Sequence, residues 1–188
     1  MDSQITQDIW ERLYTGAPTS VVVSSSNDNH TIVGKLLECN PKPETTNLAP
    51  VYINCSESPS DAVAFWKVVY KSIWEALSPY LDNELQQELM EFSDGVEIAD
   101  EVSDVSIILE NFLRETNNII AHRILLILDG FDYLVHNQNE PEIMILRGIT
   151  PLATVLSISN KYLEELGMEK YGNAYYCNQF TPPDPFVI

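Results

Sequence analysis

HRILLILDGFDYL, residues 122–134, is the stretch on which the fold turns. A single arginine precedes five consecutive aliphatic residues, Ile124–Leu128, and Asp129 closes the run. A strand with one wet face alternates apolar and polar residues. An unbroken aliphatic run of this length fits a strand buried on both faces, as in a parallel sheet covered by helices. Asp129 then stands at the carboxyl end of the strand, with Asp132 three residues further on. Open parallel sheets gather ligands outside the carboxyl ends of their strands. A carboxylate there can hold Mg²⁺ through water, and a second acid nearby can orient an attacking water. The same two acids can equally cap the turn that follows, and the pattern alone leaves both readings open.

Working outward, the pattern repeats. Toward the C-terminus, EPEIMILRGIT is helical or mixed, LATVLSIS (152–159) is another strand and NKYLEELG a short helix. Toward the N-terminus, DIWERLY (8–14) is a short helix closed by the turn cluster TGAPTS, and SVVVS is a buried strand. TIVGKLLEC (31–39) is helical and APVYINC (49–55) is a second strand. The following segment, 56–81, carries Val63, Trp66, Val69, Tyr70, Ile73 and Leu77 at helical spacing, with Ser60 placed to cap it. Such an aromatic stripe is core rather than a ligand box. Strands alternating with helices predict an α/β fold, a three-layer sandwich around a mostly parallel sheet. A length of 188 residues suits one domain spanning 1–188. Within it, 1–19 forms an N-terminal helix and turn, 75–118 an acidic helical segment and 178–188 a Pro-rich extended tail.

Composition is ordinary for a globular chain, at 45 % apolar and 20 % charged residues. The charge balance is not. Ten Lys and Arg face 28 Asp and Glu, a formal net charge of −18. A surface of that sign repels phosphate backbones and anionic lipid, so neither nucleic acid nor a membrane is an expected partner. A basic protein surface suits it better. Between Glu75 and Glu115 lie twelve acids and one base, Arg114. This segment reads as two amphipathic helices, DNELQQELMEF and DVSIILENFLRETNNII, flanking a SDGVEIADEVS connection. It is either a solvated face or a docking surface. Cys39, Cys55 and Cys177 show no paired spacing for zinc or redox chemistry, as expected of thiols in a reducing cytoplasm. The polar, acidic N-terminus is no signal peptide, and no apolar run approaches the roughly 18 residues of a membrane span.

The segment VVVSSSNDNHTIVGKLL (21–37) runs strand, polar loop, helix, which is how a phosphate-binding loop is built. It lies on the GxxxxGK[ST] template without gaps. Ser24 and Asn29 fall at the two glycines, His30 at the lysine and Thr31 at the hydroxyl that meets Mg²⁺. The length is kept and the chemistry replaced. Asn29 tolerates left-handed backbone better than most residues, whereas Ser24 does not. His30 carries no fixed positive charge at neutral pH, and Asp28 adds a negative charge where phosphate would lie. Read by itself, the segment is a polar loop that caps a helix with Asp28 or Asn29.

Taken together, SSSNDNHT, VYINCSE…AFWKVVYKSI, RILLILDGFDYL and ILRGIT…LATVLSISNKYLEEL…YYCNQF resemble the ATPase core of STAND-type signalling proteins. These sit in the AAA+, ORC-like branch of the P-loop NTPases. The resemblance spans nearly the whole chain and implies that fold. It puts Asp129 at the Walker B metal position and Gly130 where many members carry the catalytic Glu, with Asp132 a distant substitute. Ser157 and Ser159 fall on the strand that carries the family's sensor residue, with Asn160 just beyond it. The family's helical and winged-helix lid has no expected counterpart in these residues.

Lysine, catalytic acid and lid all being replaced or lacking, the resemblance implies a catalytically degenerate member. The expected role is regulatory or scaffolding, through contact with a protein partner such as an active ATPase or an effector with a basic surface. No cofactor is then required. The alternative is a switch that holds ATP or ADP with Mg²⁺ at Ser24, Asn29, His30, Thr31 and Asp129, and turns it over slowly or not at all. DNA binding is opposed by the charge and by the lack of a basic stripe. His30, His122 and His136 show no spacing for an unrelated catalytic site.

Overall fold

A computed structural model describes residues 3–23, 29–40, 47–172 and 185–188. The chain opens with α1 (Ser3–Tyr14), longer than the expected 8–14, and enters strand β1 (Thr19–Val22). Helix α2 (Asn29–Glu38) leads to β2 (Leu48–Asn54), and α3 (Ala62–Leu77) follows. Two further helices, α4 (Asn83–Ile98) and α5 (Val102–Ile119), precede β3 (Arg123–Asp129). Short helices α6 (Phe131–Asn137), α7 (Glu140–Ile143) and α8 (Ile145–Ile149) lead to β4 (Thr154–Ser159). Helix α9 (Leu163–Tyr171) and the two-residue β5 (Phe186–Val187) complete the order. The Pro-rich tail thus ends in a strand; residues 178–184 of it lie outside the described residues.

The five strands form one sheet in the order β2-β3-β4-β1-β5, with every pair parallel. Alternation along the strands separates two cores. Ile124, Leu126 and Leu128 of β3 join Ala49, Val51 and Ile53 of β2 on the face covered by α3, α5, α6 and α9. Leu125 and Ile127 face the other way, with Val21, Leu156 and Ile158, against Ile9, Trp10 and Leu13 of α1 and Val33 and Leu36 of α2. Both faces are covered, which is why β3 reads as an unbroken aliphatic run and why β4 is buried along its whole length, its Thr154, Ser157 and Ser159 included.

The stripe on α3 is core as expected: Phe65, Trp66, Val69, Ile73 and Leu77 are each 0–1 % exposed. Each such side chain contributes about 1.5–3 kcal/mol on burial. Two expectations are corrected by the structure. Asp61, not Ser60, caps α3, accepting a 2.8 Å hydrogen bond from the Ala64 amide. Ser60 sits one residue too early to reach that amide, and a carboxylate also suits the positive end of the helix. The SDGVEIADEVS segment is not a loop, since α4 runs on to Ile98 and only residues 99–101 connect it to α5. Continuing the helix buries Val96 and lets the Ser93 hydroxyl meet Tyr70 Oη at 3.0 Å. Gly95 then admits Ile108 of α5 at close range.

Candidate functional site

Strand β1 lies between β4 and β5, so the chain reverses direction across the sheet after it. Its connection passes to α2 on one face, whereas β4 passes to α9 on the other. The crevice between the carboxyl ends of β1 and β4 is therefore the topological switch point, where open α/β sheets bind ligands. Val22 pairs with Ser159 there, and Val23 N donates to Ser159 O at 2.9 Å. The phosphate-type loop leaves from this point. Ser24 and Asp28 lie outside the described residues; Asn29, His30 and Thr31 form the first turn of α2, and their side chains also lie outside the description.

Asp129 ends β3, opposite Ile158 of β4 and Asn54 of β2. Its parity with Leu125 and Ile127 turns its carboxylate toward the α1–α2 layer. Tyr52 of β2 lies on that same face, opposite Ile127, two residues short of Asp129. Its hydroxyl donates a 2.6 Å hydrogen bond to Asp129 Oδ2. Burial, reinforced by this bond to a carboxylate, pushes the Tyr52 phenol far above its ordinary pKa. Asp129 is 4 % exposed, and its Oδ1 is buried without a partner. Asp132 Oδ1 is buried without a partner as well.

Gly130 follows in the left-handed region, at φ 70° and ψ 42°, as the N-cap of α6. Neither acid caps that helix through its side chain. The chain needs this turn to send α6 back under the sheet, with Phe131 fully buried and Cys55 N donating to Asp129 O at 2.8 Å. The position at which the resemblance expects a catalytic Glu is therefore one that disfavours any side chain. Cys55 lies buried beside these acids, on the opposite face of the sheet. Burial first, and then Asp129 and Asp132, drive its thiol well above the ordinary pKa.

On β4, Ser157 and Ser159 are fully buried. Ser159 Oγ donates to Lys161 O at 2.6 Å and is spent on its own turn, while Asn160 is exposed. Lys161 is held 2.7 Å from Glu169, and that bond raises its pKa. The histidines are not brought together. His122 precedes β3 at the opposite edge of the sheet and stacks on Tyr80 at 3.8 Å, and His136 is exposed at the end of α6. Among the described residues, no three His, Cys, Asp or Glu side chains converge on a metal-sized point. Were a Mg²⁺-nucleotide to bind, Asp129 Oδ1 would be the carboxylate oxygen open to the ion.

Tyr52 belongs to no motif visible in the sequence. Strand parity places it on the Asp129 face once β2 and β3 are paired in register, and only the folded sheet supplies that register.

Solved structures share this fold. The ORC1 protein of Aeropyrum pernix, solved in complex with DNA, matches with a TM-score of 0.61 at 13 % identity, covering 98 % of this chain and 44 % of that one. One chain of the structure of Drosophila ORC bound to AT-rich DNA and Cdc6 matches with a TM-score of 0.54 at 12 % identity, covering 95 % of this chain and 54 % of that one. The chain thus spans about half the length of these structures. No family model matches the sequence, and no curated protein does. At such identities the likeness is one of fold, and the fold is the expected ORC-like, P-loop NTPase type.

Proposed function

We propose that this chain uses a P-loop NTPase-like fold without its hydrolysis, as a regulatory or scaffold subunit acting through protein–protein contact. The observation that supports this most is the Tyr52–Asp129–Gly130 arrangement. Tyr52 occupies one oxygen of the Walker B carboxylate, and the next residue is a left-handed glycine in place of an acid. His30 in place of the loop lysine points the same way, since a neutral imidazole offers no fixed charge to β- and γ-phosphates. Partners are then proteins with basic surfaces, an active ATPase or an effector, rather than nucleic acid or membrane. The described helices include none long and apolar enough to cross a membrane, and exposed, free Cys39 accords with a cytoplasmic setting.

The second reading, a nucleotide-holding switch, is favoured by the retained loop length with Thr31 in place and by Asp129 Oδ1 lacking a partner. Thermal unfolding with ATP or ADP and Mg²⁺ separates the two. A nucleotide at a hundred times its Kd stabilises the folded state by about 2.7 kcal/mol. No shift at millimolar nucleotide supports the scaffold reading; a Mg²⁺-dependent rise in Tm supports the switch.

A further inference from the structure

Outside the crevice between β1 and β4, an open groove of about 330 Å³ runs between the first turns of α5 and the α7–α8 pair. Val102 and Ser106 form one wall, and Pro141, Met144 and Ile145 the other, so most of its lining is apolar. Its polar groups are already engaged. Glu142 accepts from the Asn139 amide at 2.8 Å and from its side chain at 3.2 Å. Ser106 Oγ donates to Glu110 at 3.2 Å, and Ser103 Oγ to Glu101 at 3.3 Å. No lining residue holds a buried polar atom without a partner. The groove therefore has nothing with which to fix a small polar ligand, and it offers apolar contact instead.

Exposed apolar residues lie close by in the chain. Ile107, 59 % exposed, lies one helical turn beyond Ser103 on the same face of α5. Ile98, 80 % exposed, ends α4 just before α5 begins. The segments that carry the lining are strongly acidic. Across residues 99–110 and 139–148 there are six acids, Asp100, Glu101, Asp104, Glu110, Glu140 and Glu142, and one base, Arg147.

We infer that this groove docks a Lys- and Arg-rich segment of a partner protein, which lays one or two aliphatic side chains into the groove and sets its cations against these acids. A second copy of the chain is a poor occupant, because two surfaces of net charge −18 repel. The inference rests on the scaffold reading and gives its partner a chemistry.

The test is selection of short random peptides on the full chain, followed by fluorescence anisotropy. Enriched peptides should pair aliphatic residues with Lys or Arg, and bind more weakly as salt rises. Ser106→Trp, which fills the groove, and Ser103→Arg, which puts a cation at its exposed mouth, should each weaken binding at least about tenfold. Ser103→Arg, at an exposed position, should keep a single cooperative unfolding transition, so loss of binding is not loss of fold. Enrichment of nothing, enrichment of peptides without cations, or binding indifferent to both variants would overturn the inference. So would a dimer in sedimentation that Ser103→Arg dissolves, since the occupant would then be a second copy. Nucleotide binding is measured separately. A chain that binds Mg–ATP yet captures these peptides fails the scaffold reading and keeps the groove.

Discussion

Tyr52 Oη donates to Asp129 Oδ2 at 2.6 Å across two neighbouring parallel strands, joining a strand interior to the carboxylate that ends β3. Tyr52→Phe removes the donor and leaves a nearly buried carboxylate with neither oxygen bonded. Hydrogen bonds to charged groups contribute about 1.5–3 kcal/mol, so the variant should lose stability in that range. Urea unfolding measures it. A loss under about 0.5 kcal/mol would mean that water replaces the hydroxyl.

The same pair has a signature in alkali. Tyr52 and Cys55 are both raised above their ordinary values of 10.0 and 9.0. A group that holds its proton more tightly when folded contributes stability in full below its unfolded pKa, and loses it as pH rises toward the folded value. The stability gap between the wild type and Tyr52→Phe should hold constant below pH 9 and shrink above pH 10. A gap that widens above pH 10 would contradict a raised Tyr52 pKa. In a chain with Cys55 as its one thiol (Cys39→Ser, Cys177→Ser), labelling by a thiol reagent should be slow until the chain unfolds.

Gly130 sits at φ 70°, and a Cβ there would meet nothing nearer than Ser56 N at 3.8 Å. The cost of a side chain is therefore conformational rather than steric. Gly130→Ala should cost about 1–2 kcal/mol, Gly130→Asn less and Gly130→Val more. Gly130→Glu, which supplies the acid that the resemblance expects there, should destabilise the chain without producing hydrolysis. An unchanged Tm for Gly130→Val would dismiss the strained turn.

Eleven of the twelve acids between Glu75 and Glu115 are exposed, and Lys71–Glu75 and Lys161–Glu169 are the ion pairs found among the described residues. Self-repulsion at this charge should make Tm rise with salt between low and moderate ionic strength. Neutralising Glu84, Glu88 and Glu91 to Gln should raise Tm at low salt and flatten that dependence. A Tm indifferent to salt would show the acids to be individually solvated.

The sheet is legible in the sequence because a doubly covered strand cannot disguise itself. RILLILD and TVLSIS are buried along nearly their whole length; the aliphatic run of the first and the β-branched and small residues of the second mark them as strands. The α3 stripe is legible for the same reason at helical period. Helix continuity through Ser93–Ile98 is not, because Gly95 and the acids around it look like a connection until α5 is there to pack against. Candidate-site legibility divides along similar lines. Asp129 follows from its place at a strand end. Its bond to Tyr52, 77 residues away, depends on the register between β2 and β3, which no local pattern encodes.

Phosphate release from ATP with excess Mg²⁺, by the purified chain and by Asp129→Asn side by side, tests the proposed loss of catalysis most directly. Release from both proteins at the uncatalysed background is the expected result. Turnover by the wild type that disappears in Asp129→Asn would show a working ATPase and contradict a fold that has given up hydrolysis.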